Sequence, residues 1–291
     1  MWATFRHELA HMRGRILGWG LGLGLLGAYF SSVFSSFEAQ MAQLRQAMEY
    51  FPQELFAFFG LDIAALTPYR FLDVKFFSLM PAILGVFAVG AGTAMLARDE
   101  EKGLLDLILA HPVSRKALFF GKALAALAAM VLIVALMWAG LVVGMDRASL
   151  QVTPTQMIGP MVSVLAAVVL WWSLGLLLSM LLPSRRMASS AVAFLIVASF
   201  FVKGMAELDP DLKGIAKLSP FTYYQGGQAA FGLNVGWIVG LVLPAAAFVL
   251  LAWWRFERRD IRVAGEGGWG VALPARMRPA RRRPAEARHA V

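Results

Sequence analysis

Apolar residues in this chain gather into long unbroken blocks separated by short charged segments. A helix needs about 20 consecutive apolar residues to cross the hydrocarbon core of a bilayer. Six blocks meet or approach that length: Ile16 to Phe37, Phe76 to Ala97, Ala123 to Met145, Thr155 to Leu182, Met187 to Val202, and Asn234 to Trp254. The fifth is the shortest. It is expected to continue through Lys203 and Gly204, where the lysine can snorkel. The first is longer than the roughly 7–15 residues of a signal-peptide core and reads as an uncleaved span. The pattern predicts an all-α membrane protein with six transmembrane helices.

The segments between the blocks carry their own signals. Phe5, Leu9, Met12 and Ile16 recur at spacings of three and four, with Arg6, Arg13 and Arg15 mostly off that stripe. Residues 1–15 therefore read as an N-terminal interfacial helix. Glu38 to Lys75 is long for a loop, so short helices broken at Pro52 and Gly60 are expected. In the segment Arg98 to Lys122, Asp99, Lys102 and Asp106 share one helical face and Leu104, Leu105 and Ile108 the opposite one. Pro112 ends that helix, Ser114 can N-cap the next span, and Val113 can staple onto Leu118. Gly204 to Leu233 mixes glycines, prolines and aromatics, as suits broken helices dipping into the outer leaflet. From Val263 on, the chain is rich in Gly, Pro, Ala and Arg and reads as a disordered basic tail. The chain thus divides into a membrane domain, 1–262, and a tail, 263–291, favoured as a solvated topology anchor.

Composition sharpens this picture. Hydrophobic residues make up 59% of the chain and charged ones 15%, against about a quarter charged in soluble proteins. The net charge of +9 is not laid out as a basic face interleaved with aromatics, so nucleic acid is not an expected partner. It sits beside the spans, where it orients a chain by the positive-inside rule and meets anionic headgroups. With the N-terminus inside, the inner segments hold 20 of the 27 lysines and arginines. Without the ten arginines from Arg255 to Arg288 the bias is still 10 to 7. Both termini are therefore expected in the cytoplasm. Cysteine is absent, which excludes disulfides, thiolate zinc sites and cysteine nucleophiles.

Several motifs suggest chemistry. His7-Glu8-Leu9-Ala10-His11 matches H-E-x-x-H, which puts two imidazoles on one helix face with a glutamate beside them. A membrane zinc peptidase built on His7, Glu8 and His11 is a remote alternative. Its motif is expected to lack a walled, dry site, and His111 and His289 offer no convincing third ligand. Polar residues on an interfacial helix are the favoured reading. Gly22-Leu23-Gly24-Leu25-Leu26-Gly27 matches G-x-G-x-x-G but lies inside an apolar block, and Gly20 with Gly24 forms a small-xxx-small pair suited to close helix packing. No G-x-x-x-x-G-K-[ST] occurs, so the chain has no P-loop of its own. Ionisable residues are nearly absent from the middle of the blocks, which argues against a proton-coupled carrier. Serines such as Ser31, Ser163, Ser173 and Ser179 supply polarity, more often as packing contacts than as a pathway.

The stretch Ala97 to Lys122, ARDEEKGLLDLILAHPVSRKALFFGK, resembles the permease subunits of ABC-2 type transporters. The matching residues are Glu100, Glu101, Gly103, Leu105, Leu107, Leu109, Pro112, Val113, Ser114, Arg115, Gly121 and Lys122; Leu104 departs, standing where the family usually has threonine. Shorter agreements extend the resemblance over about residues 1–262. It implies the type V exporter-like fold, with a cytoplasmic coupling helix over 98–115 and extracellular re-entrant helices over 204–233. It implies a transport subunit, not an enzyme, in the bacterial inner membrane. The expected partners are a separate P-loop ABC ATPase, which holds ATP and magnesium, and a second permease chain, identical or not. No cofactor is expected in this chain. The implied ATPase-coupling residues are Asp99, Glu100, Glu101, Gly103, Leu105, Ile108, Pro112, Ser114 and Arg115. The implied cargo is amphiphilic, such as a drug, peptide or lipid; a role in copper-enzyme maturation is the alternative.

Overall fold

A computed structural model describes residues 1–48, 68–101, 103, 114–145, 152–208 and 210–258. The described residues form helices joined by turns, without strands. Helix α1 (Trp2–His11) turns at Met12 into α2 (Arg13–Met48). Next come α3 (Pro68–Lys75), a 3-10 turn (Phe77–Leu79), α4 (Met80–Ala94) and the short α5 (Ala97–Glu101). Then follow α6 (Arg115–Met145), α7 (Ile158–Leu181) and α8 (Arg185–Leu208). Three 3-10 turns and the short α9 (Lys213–Ala216) lead to α10 (Val235–Arg258).

Among the described residues, five helical stretches are long and apolar enough to cross a membrane: Leu72–Ala94, Arg115–Met145, Ile158–Leu181, Arg185–Ala206 and Val235–Arg258. They match five of the six expected blocks, with shifted ends. The third begins eight residues before the apolar block, because Ser114 starts the helix: its Oγ accepts from the Ala117 backbone N–H at 3.1 Å. The fourth and fifth blocks are joined by a three-residue turn, Leu182 to Ser184, and the fifth runs on past Lys203 as expected. The remaining block, Ile16 to Phe37, lies inside α2, whose 36 residues give a length of about 54 Å. This helix continues well past Phe37 instead of breaking there. The expected breaks at Pro52 and Gly60 lie outside the described residues, as does the tail.

Close helix approach decides the packing. A Cβ on Gly140 of α6 would stand 2.2 Å from the Gly24 carbonyl oxygen of α2, and one on Gly24 would stand 2.9 Å from that of Leu136. The two backbones therefore touch, and Gly24 and Gly27 of the G-x-G-x-x-G run are packing positions, as its setting implied, while Gly22 faces open space. Helix α7 sits at the centre, with 72% of its apolar window buried, whereas those of α8 and α10 are 17% buried. Trp171 and Trp172 of α7 fill the middle. Buried hydroxyls bond within their own helix: Ser173 to the Leu170 carbonyl, Ser179 to that of Leu176, and Thr93 to that of Val89. These three thus satisfy themselves locally.

Candidate functional site

Gly121 and Lys122, in the second turn of α6, organise the end of the bundle that carries most of the charge. A Cβ on Gly121 would stand 2.9 Å from Thr4 Cβ and 3.0 Å from the Met1 carbonyl oxygen. Helix α1 therefore lies directly across α6 at this glycine. The next side chain, Lys122, is only 6% exposed. Its Nζ donates to Glu8 Oε1 of α1 at 2.5 Å and to Asp99 Oδ2 of α5 at 2.6 Å. An unpaired buried ammonium would cost several kcal/mol, so the two carboxylates are what allow a lysine here. Glu8 and Asp99 keep 28% and 17% exposure. The cluster is thus buried at its centre and wetted at its rim, and it ties three chain segments together.

A cavity of about 520 Å³ opens beside this cluster, lined by Glu8, Asp99 and Lys122 together with His7, Arg15 and Arg98. Arg15 stands at the border of α2. Partial burial lowers its pKa, the neighbouring Arg98 lowers it further, and Glu8 opposes both. An arginine remains charged despite such shifts.

Several of the expected coupling residues have contacts within the chain. Asp99 turns inward to Lys122, so its carboxylate is committed within the chain. Arg115 reaches back across the bundle, its Nη1 3.3 Å from the Glu257 carbonyl oxygen and 3.5 Å from that of Phe256. It thereby caps the C-terminal end of α10, where a cation suits the helix dipole. Ser114 is the N-cap that its sequence position implied. Gly103 has φ 65, the left-handed conformation of a helix-ending glycine. Its N–H bonds to the Glu100 carbonyl at 3.0 Å, and α5 stops at Glu101. The helix that starts at Ala97 therefore does not run on through Gly103. Leu105, Ile108 and Pro112 lie outside the described residues, with Lys102, Leu104, Asp106 and Val113.

The H-E-x-x-H residues separate by role. Glu8 serves Lys122, while the His7 and His11 rings lie 5.8 Å apart along α1. Among the described residues no group of three His, Cys, Asp or Glu is placed to hold a metal ion. Lys122, the centre of this ionic cluster, entered the sequence reading only as a motif match. The available signal was a lone lysine one residue before an apolar block, within a helix that begins at Ser114.

At the opposite end the segment after α8 folds back onto the bundle. Tyr224 OH donates to the Phe77 carbonyl at 2.7 Å, the Gly227 N–H to Asp73 Oδ1 at 2.7 Å, and the Gln225 N–H to Ser163 Oγ at 3.0 Å. Gly227 is required here, since a Cβ would stand 2.7 Å from Asp73 Oδ1. Burial first, and Asp73 next, raise the pKa values of Tyr69 and Tyr224 well above that of an ordinary phenol.

Apolar helices long enough to span a bilayer, tied at one end by an ionic cluster, define a multi-pass membrane protein. A family model described as "ABC-2 family transporter protein" matches residues 12–261. The chain therefore belongs to the ABC-2 transporter family, a family of membrane transport components. A comparison with curated proteins finds no match.

Proposed function

We propose that this chain is the permease subunit of an ATP-binding cassette exporter in the bacterial inner membrane, with six spans and both termini cytoplasmic. It moves an amphiphilic substrate with energy from a separate ATPase, and a second permease chain completes the pathway. The observation that carries this reading is the Lys122 cluster. The segment around residues 98–115 would dock on the ATPase through Glu100 and Glu101. Because Asp99 in that segment and Glu8 in α1 share one lysine on α6, a displacement of the docked segment would pull on both the N-terminal helix and a spanning helix. Such a link gives two conformations different contact energies, as a two-state transporter needs. The short helices between 204 and 233 would dip into the outer leaflet and gate release.

The test is purification in mild detergent followed by an ATPase assay of the eluate. A P-loop ATPase should co-purify and should be lost when 98–115 is replaced by a Gly/Ser linker. Glu100→Ala with Glu101→Ala should retain folding and lower the substrate-stimulated hydrolysis. A folded preparation with no ATPase partner would overturn the proposal.

A further inference from the structure

Two openings at the charged end share one side chain, Arg15. The first is the cavity described above. Its carboxylates Glu8 and Asp99 are taken up by Lys122 at 2.5 and 2.6 Å. Among the described residues neither Arg15 nor Arg98 forms a salt bridge, although both line the cavity. The second is a groove of about 470 Å³ running along α2 between Gly14, Gly18, Gly22, Trp19 and Leu23. Gly14, Gly18 and Gly22 fall on one helix face by their spacing of four. A Cβ on any of them would meet no atom within 4 Å. These glycines are therefore unlike Gly24, which faces α6, and they leave a channel open on the outer surface of the helix.

Both arginines border apolar stretches, the position at which basic residues meet headgroups. Arg15 precedes the first apolar block, and Arg98 follows the stretch that ends at Ala94. We propose that an anionic phospholipid binds across this end, its phosphate between Arg15 and Arg98 and one acyl chain in the glycine groove. Guanidinium forks match phosphate oxygens with paired, charge-assisted hydrogen bonds. The groove is apolar beyond its arginine mouth and flanked by Trp19, an amphipathic ring of the kind that sits at the membrane interface. A second protein helix packed on the glycines would crowd two cations without supplying their counter-charge, which the phosphate does supply. This goes beyond the transport reading, and its failure would leave the ATPase test untouched.

The test is native mass spectrometry of the full chain in detergent, with phosphatidylglycerol and phosphatidylcholine added at equal concentration. The wild-type chain should retain phosphatidylglycerol by about tenfold over phosphatidylcholine, within what two arginines can supply at a membrane surface. Arg15→Gln with Arg98→Gln should abolish the preference, and Gly18→Leu should weaken retention of both lipids. Circular dichroism should be unchanged in each, since these positions face open space. Preference retained in the double variant would overturn the site. So would displacement of the lipid by millimolar inorganic phosphate, which would make the ligand a free anion. The chain has no cysteine, so Gly18→Cys offers one clean probe. Its oxidation to a disulfide-linked dimer in lipid vesicles would give the groove to a second copy and overturn the lipid assignment.

Discussion

The two ends of the bundle are each stitched to distant chain segments, but by different physics. At the charged end the stitch is ionic: one buried lysine holds two partly wetted carboxylates from α1 and α5. At the opposite end it is made of directional hydrogen bonds between side chains and backbone: Tyr224 OH donates to the Phe77 carbonyl, the Gly227 N–H to the Asp73 carboxylate, and the Gln225 N–H to the Ser163 hydroxyl. The ionic stitch tolerates some change of geometry, because Coulomb attraction falls slowly with distance. The hydrogen-bonded one does not, because such bonds weaken steeply with misalignment. In the transport cycle proposed above, the first would suit a segment that moves and the second one that closes a pathway.

The strongest way to break this comparison is to disrupt what both ends share. Gly140→Val would drive a side chain into the Gly24 carbonyl, 2.2 Å from where its Cβ must stand. The expected cost exceeds the roughly 3 kcal/mol of ordinary overpacking, since backbone and not a side chain would have to yield. Most of the protein should leave the monodisperse peak in size-exclusion chromatography; a melting temperature near wild type would show that the seam is looser than it looks.

Lys122→Met acts on one end only. Glu8 and Asp99 would lose the ammonium they share, but Arg15 still acts on Glu8 and their partial exposure lets water return. The expected loss is about 2 kcal/mol, below the 3–5 kcal/mol of a fully buried pair. Amide exchange should rise in residues 2–11 and stay unchanged around Tyr224, with substrate-stimulated hydrolysis falling about tenfold if the cluster transmits about 1.4 kcal/mol. Lys122→Arg should recover much of it. Protection spread evenly over both ends would contradict an independent charged end.

Tyr224→Phe is the matched change at the other end. It removes the 2.7 Å bond to the Phe77 carbonyl, which still accepts from the Met80 N–H, at an expected cost of about 1 kcal/mol. Thermal melting should register it, while exchange in residues 2–11 should not.

The smallest effect is one of pH. Tyr69 and Tyr224 have folded-state pKa values above that of a free phenol, about 10. Their contribution is complete below that value and declines as pH rises through it toward their folded pKa values. Melting temperature should therefore fall in strongly alkaline buffer, and the fall should be shallower in a chain carrying both Tyr69→Phe and Tyr224→Phe.

The apolar blocks were legible because bilayer thickness imposes a length on any span, and five of the six reappear as helices with that length and polarity. The glycine run was legible as packing because its setting excluded a nucleotide site. The motif Gly121-Lys122 was legible only as a pattern. Nothing in the linear order says that Gly121 admits α1 or that Lys122 meets residues 114 and 23 positions away. Likewise Asp99 looked like a docking charge because helical spacing placed it beside Glu100, and spacing says nothing of what lies across the gap.

The amino-acid sequence alone determined the helical membrane class, the approximate spans and the family, since these depend on hydrophobic length and local order. The tertiary structure decided which charges meet inside the chain, as Lys122 meets Glu8 and Asp99. That pairing depends on distances of a few ångströms between segments far apart in sequence, and on burial, which sets how strongly each charge must be paired.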